Sequence, residues 1–363
     1  MGTVALVHDF LTSYGGAERV LSELVEMFPA APIYTLLSNS VGTKHFAGHQ
    51  IISSNLQRSL FNTHPQFLLG QMPQAIESFD FSGYDTVISS SGAFSHGLIT
   101  GPETFHLCYC HSPMRYAWDW HSEYLDERGV KGALATGIAN QFLSNIRLLD
   151  LVSSSRPDRY VANSQTVQQR INHYYRQDST IVYPPVNTSF WKPGTSKGKY
   201  AITVCRLSKY KRVDLLIEAA HSLHLPLVVV GEGSEKYSLQ KLVTKLSADV
   251  TFKGRIDDVE LLPLMQGAEV FLFAAEEDFG IAPVEALSCG IPVVALNCGG
   301  TAETVQNGKT GSLFDFPEIS QISAALQNVL DGNITATPQE ISMSVSRFSK
   351  EVFRNGIFQA LQQ

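Results

Sequence analysis

Two glutamates on either side of a glycine turn are the residues of this chain whose type and spacing most suggest chemistry. Glu277 and Glu285 stand eight positions apart in the segment Glu-Asp-Phe-Gly-Ile-Ala-Pro-Val-Glu, with Gly280 between them. A glycine turn that opens a helix would place the two carboxylates ~12 Å apart, with backbone N–H groups between them. This suits a ligand that has hydroxyls at both ends and a phosphate in the middle, as a nucleotide sugar has. The alternative is a solvated acidic cluster at a helix start.

Two cations form a second candidate group. Arg206 and Lys211 follow the predicted strand Tyr200–Val204 and precede an apolar helical run. Two positive charges at a strand end could neutralise a diphosphate leaving group as negative charge develops on it. A charged turn of this kind is more often solvated surface, so the spacing alone leaves both interpretations open.

The first half of the chain carries two further candidate sites, each directly after a predicted strand. Gly15 and Gly16 form a paired-glycine turn, which lets backbone amides approach a phosphate or a sugar, although such turns are also common elsewhere. His111 could hydrogen-bond a reacting sugar, whereas a lone histidine is more often structural. Three residues beyond it could shape an acceptor pocket or belong to a packed core: Arg115, Tyr116 and Trp118.

Two weaker signals could flank a nucleotide. Gly231 begins a segment that resembles a dinucleotide fingerprint, but Lys236 stands where the third glycine belongs. Arg255 follows another predicted strand. For both residues, an ordinary turn explains the pattern equally well.

Short apolar runs that alternate with helical patterns predict the elements that position these residues. This alternation is typical of βαβ units in doubly wound parallel sheets, and it occurs once in each half of the chain. The predicted strands of the first unit are Val4–Val7, Ala31–Leu36, Thr86–Ser89, His106–Cys110 and Tyr160–Ala162. Those of the second unit are Tyr200–Val204, Pro226–Val230, Val250–Phe252, Val270–Phe273 and Pro292–Ala295. Predicted helices include Ala17–Met27 and Val213–Leu223.

A proline-rich stretch separates the two halves, and we expect a linker at about 184–197. The predicted domains are an acceptor-side Rossmann-like domain at 1–186 and a nucleotide-sugar-binding one at 187–345. Residues 346–363 form a helix candidate that could pack on either of them. In such sheets ligands bind outside the carboxyl ends of the strands, so two domains facing each other across a cleft could hold a donor and an acceptor.

Bulk properties narrow the class of protein. The chain has 363 residues and a net charge of −7, and this charge argues against nucleic acid as a partner. Five scattered cysteines indicate reduced thiols, and the first residues read as a strand rather than a signal peptide, so we expect a cytoplasmic protein. No Asp-x-Asp sequence occurs, so no metal site and no cofactor are expected. The stretch 129–151, with Arg128, Lys131 and Arg147 nearby, could contact a membrane surface, or it could be an ordinary buried helix.

The longer string Phe-x-Phe-x-x-Glu-Glu-Asp-Phe-Gly-Ile-x-Pro-Val-Glu resembles the donor site of retaining glycosyltransferases of family 4, which have the GT-B fold. The resemblance assigns Glu277 to hydroxyls of the transferred sugar and Glu285 to the nucleotide ribose. It also assigns the Arg-x-x-x-x-Lys pair, Arg206 and Lys211, to the pyrophosphate. The glycine turn at Gly15 and Gly16 would meet the donor phosphate, and a histidine, here His111, would contact the donor sugar. Backbone groups of Phe279, Gly280 and Ile281 would complete the donor site.

The resemblance therefore implies a retaining, metal-independent glycosyltransferase that uses a nucleotide sugar as co-substrate and a glycan or glycolipid as acceptor. His111 and Glu277 would be its catalytic-site residues. The motifs look most like those of bacterial mannosyltransferases of polysaccharide and O-antigen assembly, which favours GDP-mannose as donor. The alternatives are a UDP-sugar-dependent enzyme of the same family, a nucleotide-sugar epimerase and a non-catalytic glycan-binding subunit. Acceptor, linkage, oligomeric state and membrane association stay open.

Overall fold

The computed structural model describes residues 2–120, 132–195 and 198–362, and the chain in it divides into two compact units. The first unit holds Met1–Tyr183 and Phe353–Gln363, and the second holds Pro184–Val352. The C-terminal segment at 346–363 is therefore shared between the units. Within the described ranges, no helix is both long enough and apolar enough to cross a membrane.

The first unit is built on a parallel sheet of seven strands in the order β3-β2-β1-β4-β5-β6-β7. Its strands are β1 (Val4–Leu11), β2 (Ile33–Ser38), β3 (Ile51–Ser53), β4 (Thr86–Ser91), β5 (Phe105–Cys110), β6 (Arg159–Ala162) and β7 (Ser179–Ile181). Its helices are α1 (Gly16–Met27), α2 (Ser40–Thr43), α3 (Met72–Glu77), α4 (Ala133–Ser153) and α5 (Gln165–Arg170), and a π-helix follows at Ile171–Tyr175.

Both faces of this sheet are covered, which explains the nearly continuous apolar runs of its central strands. Successive side chains of β1 point to opposite faces. Ala5 and Val7 belong to one core cluster, whereas Leu6 between them belongs to the other. The carboxyl ends of the central strands are thus held rigidly between two packed layers.

The second unit has a parallel sheet of six strands in the order β10-β9-β8-β11-β12-β13. Its strands are β8 (Ala201–Val204), β9 (Leu227–Val230), β10 (Val250–Gly254), β11 (Val270–Phe273), β12 (Val293–Leu296) and β13 (Gly311–Phe314). Its helices are α6 (Val213–Ser222), α7 (Lys236–Leu246), α8 (Asp258–Gly267), α9 (Ile281–Ser288), α10 (Gly300–Thr304), α11 (Ile319–Leu330) and α12 (Pro338–Ser344).

The last helix, α13 (Lys350–Gln362), packs on the first unit through a stripe of buried residues. Phe353, Ile357 and Ala360 recur at spacings of four and three, so they share one helix face. Phe353 meets the ring of Tyr109 with 5.6 Å between ring centroids. The guanidinium of Arg354 pairs with Glu23, whose side chain is buried on α1.

The proline-rich stretch at the start of the second unit is packed rather than extended as a free linker. Trp191 is fully buried in this stretch, and the hydroxyl of Ser288 donates a hydrogen bond to its carbonyl oxygen at 2.5 Å. Prolines interrupt regular structure here, but a large aromatic side chain still joins the core. The described part of the expected linker therefore belongs to the second unit.

Candidate active site

The strand order of the second sheet creates a crevice at the carboxyl ends of β8 and β11. The chain runs from β8 outward through β9 and β10, and then returns to β11 on the other side of β8. Loops that leave two neighbouring strands in opposite directions open a crevice, and ligands of such sheets bind there. The loop after β8 carries Arg206 and Lys211, and the loop after β11 carries Glu277.

Lys211 and Glu277 form an ion pair across this crevice. The Lys211 ammonium also lies 5.0 Å from the ring centroid of Tyr210 and 5.2 Å from that of Phe273, so two aromatic faces support its charge. Burial lowers the pKa of Lys211, but the attraction of the Glu277 carboxylate outweighs burial and leaves the pKa above its ordinary value. The lysine side chain is 10% exposed and the glutamate side chain 24%, so both keep access to a ligand.

Arg206 stands beside this pair with its side chain exposed. No described residue forms an ion pair or a side-chain hydrogen bond with it, so its guanidinium is available to an anion. Its neighbour Arg212, by contrast, pairs with Asp214 at 3.2 Å on the surface. Arg206 and Lys211 are therefore the predicted pair of cations that could meet a diphosphate in this loop; Lys209 is exposed there as well.

A glycine pair after β12 holds the backbone of Glu277. The N–H of Gly300 donates a hydrogen bond to the Glu277 carbonyl oxygen at 2.9 Å. Gly299 has φ +60, and a Cβ atom there would lie 2.2 Å from the same oxygen. Only glycine fits such an approach. Sequence reasoning missed this pair, although two adjacent glycines directly after an apolar run were a readable signal.

The remaining residues of the glutamate motif differ in exposure. Gly280 adopts φ +81 immediately before α9, and it is partly exposed together with Ile281. Phe279 is only 3% exposed, and its ring packs against Phe348 at 5.3 Å between centroids. Glu285 is 4% exposed within α9. The residues at the start of α9 are thus partly exposed, whereas the second glutamate keeps only a small exposed fraction.

Gly231 and Arg255 lie at the same edge of the sheet, after β9 and β10. Gly231 has φ +135, and a Cβ atom there would lie 1.9 Å from the carbonyl oxygen of Cys205. Crowding between backbones therefore accounts for this glycine without a ligand. Arg255 is exposed.

In the first unit, one serine joins two histidines at the carboxyl ends of three strands. The hydroxyl of Ser90 lies 2.8 Å from Nε2 of His111 and 3.1 Å from Nδ1 of His8. Ser90 is the next-to-last residue of β4, His8 stands opposite it on β1, and His111 follows β5. Sequence reasoning missed Ser90, although the run Ser89-Ser90-Ser91 at the end of an apolar strand was its signal.

His111 is a neutral hydrogen-bonding group at this place. Burial, helped by the neighbouring His8, lowers its pKa to about 4. Its main chain is fixed as well, because its N–H donates to the Ser91 carbonyl at 2.7 Å and its carbonyl accepts from Nδ2 of Asn163 at 2.9 Å. The imidazole is therefore positioned to donate or accept one hydrogen bond and does not serve as a cation.

In the first unit, the backbone of the glycine turn bonds to a side chain of its own helix, α1. The N–H of Gly15 donates to the Glu18 carboxylate at 2.8 Å, and the other carboxylate oxygen lies 3.8 Å from Nε2 of His8. Burial raises the pKa of Glu18, but His8 and the backbone N–H groups outweigh burial, so the pKa is lowered. Gly16 begins α1 directly after this contact.

Asp9, the residue after His8, has a structural function. Its buried carboxylate accepts hydrogen bonds from the four successive N–H groups of residues 92–95, at 2.7–2.9 Å. This carboxylate fixes the turn that leaves β4 next to Ser90.

The aromatic residues after His111 make contacts within the first unit. Trp118 donates from Nε1 to the Asp150 carboxylate at 2.7 Å and stacks on Tyr174 at 4.7 Å between centroids. Tyr116 packs partly buried against the core, and the Arg115 guanidinium lies 3.4 Å from the ring centroid of Trp120. Trp118 thus contacts α4 and the π-helix.

A cavity of about 690 Å³ opens beside these aromatics. Amide, hydroxyl and charged side chains line it, among them Asp119, Gln168, Arg170, Asn172, Tyr174 and Ser179. Arg170 and Asp119 form an ion pair at 2.8 Å in its wall. The π-helix that supplies part of the wall is a type of irregularity often found at functional sites. The sequence contained no pattern that predicted this cavity.

Among the side chains that the structure describes, no group of three or more His, Cys, Asp or Glu could hold a metal ion.

The second unit also matches a known sequence family. Residues 186–345 match the family described as Glycosyl transferases group 1. We call this matched segment, residues 186–345, the group 1 domain. The ion pair of Lys211 and Glu277, the exposed Arg206 and the glycine pair all lie within this group 1 domain.

Curated relatives agree with this assignment at modest identity. A D-inositol 3-phosphate glycosyltransferase of Rhodococcus jostii is 27% identical over 234 residues, which cover 56% of this chain and 52% of the relative. A GDP-mannose-dependent monoacylated alpha-(1-6)-phosphatidylinositol monomannoside mannosyltransferase of Corynebacterium glutamicum is 31% identical over 142 residues, 36% of this chain and 37% of the relative. The chain thus spans about half, or less, of the length of these relatives.

The fold resembles that of a solved structure over its whole length. A crystal structure of HepE from Anabaena, in complex with UDP and glucose, has a TM-score of 0.75 at 18% identity and covers 100% of both chains. The predicted fold class, two Rossmann-like α/β units of the GT-B type, is confirmed.

Proposed function

We propose that this chain is a glycosyltransferase that moves a hexose from a nucleoside-diphosphate sugar to a hydroxyl group of a glycan or a lipid-linked glycan. The observation that carries the proposal is the ion pair of Lys211 and Glu277 at the crevice between β8 and β11, inside the group 1 domain. It combines a cation suited to a phosphate with a carboxylate suited to sugar hydroxyls, at the place where such sheets bind ligands.

The two cations of the β8 loop would stabilise the leaving group. The bond between the sugar C1 and the diphosphate oxygen breaks, and negative charge develops on that oxygen. Lys211 and the exposed Arg206 would neutralise this charge with protein groups alone. In the proposed transfer the acceptor oxygen attacks C1 from the same face, and its proton passes to the departing phosphate oxygen, so the anomeric configuration is retained.

Glu277 would orient the transferred sugar by accepting hydrogen bonds from its hydroxyls. Its backbone is clamped by the glycine pair, so its carboxylate is held in one place before the donor arrives. Glu285 would reach the ribose, and the first-turn N–H groups of α9 would meet a phosphate or sugar oxygen. We propose that His111 of the first unit hydrogen-bonds the donor sugar as a neutral imidazole, which Ser90 orients.

We propose GDP-mannose as the donor. In support, one relative is named as a GDP-mannose-dependent mannosyltransferase, and the sequence motifs resemble those of mannosyltransferases. A UDP-hexose is the second candidate, because the similar structure from Anabaena holds UDP and glucose. A panel of sugar nucleotides tests the proposal. The release of nucleoside diphosphate is measured for each of them, with and without glycan acceptors. Turnover of GDP-mannose supports it. Turnover of a UDP-sugar alone overturns the donor, epimerised donor without transfer indicates an epimerase, and no turnover of any donor overturns the enzymatic function.

A chelator tests whether the transfer needs a metal ion. We expect transfer to continue unchanged in the presence of excess EDTA, because the proposed leaving-group stabilisation uses only Lys211 and Arg206. Complete loss of activity that added divalent cation restores would contradict this part of the proposal.

A further inference from the structure

One face of α4 is apolar and exposed. Ile138, Phe142, Leu149 and Val152 recur at spacings of four, seven and three, so they share a helix face, and Ile138 is 65% exposed. A helix of a globular protein normally buries such a stripe against the core. Here a different set of α4 residues, which includes Leu143 and Ile146, is buried instead.

The exposed stripe continues onto the segment before α3. Leu60 is 94% exposed, and Phe61 and Phe67 are also exposed, with 5.7 Å between their ring centroids. A Cβ atom on Gly70 would lie 3.4 Å from the ring of Phe142, so this segment touches α4. We call the combined surface the apolar patch; its members are Leu60, Phe61, Phe67, Ile138, Phe142, Leu149 and Val152.

Most charges in the sequence around the apolar patch are positive, and Glu77, which lines the same groove as Leu149, pairs with Arg156 at 2.6 Å. Residues 39–76 contain Lys44, Arg58 and three histidines but no aspartate or glutamate, in a chain whose net charge is −7. On α4 the single carboxylate, Asp150, is buried and bonded to Trp118 and Tyr175. The exposed face of α4 between residues 135 and 153 therefore presents apolar and uncharged polar side chains only.

We propose that the apolar patch docks on a lipid bilayer that carries anionic headgroups. Exposed Leu, Ile and Phe side chains can enter the boundary between headgroups and acyl chains, and nearby cations favour an anionic surface. A contact between two copies of the chain through this patch would bring the basic segment 39–76 of both copies into one interface, and this segment has no carboxylate to pair with its cations. The sequence left two interpretations open for the stretch 129–151, a membrane-contacting surface and an ordinary buried helix, and the partial exposure of α4 favours the first. Arg128 and Lys131 lie outside the described residues.

Co-sedimentation of the full chain with vesicles tests this proposal. No sugar nucleotide is added, so the outcome is independent of the proposed enzymatic function. The vesicles contain either phosphatidylcholine alone or phosphatidylcholine with about a quarter of phosphatidylglycerol. We expect the chain to bind the anionic vesicles and to bind the neutral ones less. The double variant Leu60→Ser, Phe61→Ser should lower the partition coefficient by about tenfold or more, because it removes two large side chains from the contact.

The control variant is Phe316→Ser, which changes a residue of the second unit that is 61% exposed. It should bind anionic vesicles as the wild type does. A second variant on the helix, Ile138→Ser with Leu149→Ser, should lose binding like the first, and unchanged thermal unfolding would show that both variants fold. Three results overturn the proposal. The first is no binding of the wild type to anionic vesicles, and the second is binding of both patch variants as strong as that of the wild type. The third is a wild-type dimer that dissociates when the patch residues are replaced.

Discussion

Lys211 and Glu277 form an ion pair although 66 positions separate them in the sequence. The pair exists because the two loops that carry them leave adjacent strands, β8 and β11, in opposite directions. A diphosphate that binds here would share the lysine ammonium with the glutamate. Sugar binding and leaving-group stabilisation would therefore be coupled through one pair of side chains.

Replacement of Lys211 by alanine should reduce transfer strongly while the chain stays folded. Removal of one preorganised charge from a leaving group typically lowers kcat by ~10²–10³-fold. Lys209→Ala is the matched control, because Lys209 is an exposed lysine only two positions away in the same loop. Steady-state rates of both variants with a saturating donor check the prediction, and equal rates for the two would contradict it.

Gly299→Ala should lower both stability and activity. The added Cβ atom would lie 2.2 Å from the Glu277 carbonyl oxygen, so the clamp on the sugar-binding glutamate must shift. Gly308→Ala separates this effect from backbone strain, because Gly308 has φ +75 but nothing within 4 Å of its Cβ position. We expect Gly308→Ala to cost about 1–2 kcal/mol of unfolding free energy with normal kcat, and Gly299→Ala to cost more and to lower kcat. Equal effects on kcat would show that the clamp on Glu277 does not matter.

Ser90→Ala should lower kcat by about tenfold or more through the orientation of His111. The variant removes the hydroxyl that lies 2.8 Å from His111 and 3.1 Å from His8. Ser91→Ala is a matched control, since Ser91 is an equally buried serine of β4 whose hydroxyl lies 3.2 Å from His96 instead. If both variants lose stability similarly but only Ser90→Ala loses activity, positioning is supported. Similar activity in both variants would refute it.

Unfolding free energy should decrease as the pH falls from 6.5 towards 4.5. Burial lowers the pKa of His111 to about 4 and that of His106 to about 3, from an ordinary 6.5. In this window the unfolded chain binds protons that the folded chain does not, so acid favours unfolding. Each histidine contributes up to about 1.4 kcal/mol per pH unit, and above pH 6.5 the effect vanishes.

Urea unfolding at several pH values measures this slope. His106→Gln removes one of the two titrating groups and keeps an amide that can bond the Ser89 hydroxyl. Its slope between pH 6.5 and 4.5 should be shallower than that of the wild type. A slope that is identical in the two proteins would mean that His106 is protonated in the folded chain.

The sequence predicted the central strands well and the edges poorly. Strand β11 has the predicted bounds, because a short apolar run between polar residues can only be a buried strand here. Strands β3 and β7 were missed, because each has three residues at a sheet edge, and β13 was missed because it begins with glycine. Runs this short carry no periodicity.

The sequence predicted individual residues of the candidate site but not which of them contact each other. Lys211 and Glu277 were both recognisable at strand ends, yet their contact depends on strand order, which no local pattern encodes. Ser90 was missed for the same reason, since its neighbour His8 lies on another strand and its neighbour His111 directly follows a third. The burial of Glu285 and Phe279 depends on packing against other elements, which their motif does not contain.

Thermal unfolding of the full chain with GDP and UDP tests the central role of Lys211 most directly. A ligand that binds the folded state alone stabilises it, by about 2.7 kcal/mol at a hundredfold excess over its Kd. We predict that at least one nucleoside diphosphate raises Tm of the wild type and of Lys209→Ala but leaves Tm of Lys211→Ala nearly unchanged. An equal rise in Lys211→Ala would contradict a diphosphate site at the Lys211–Glu277 pair.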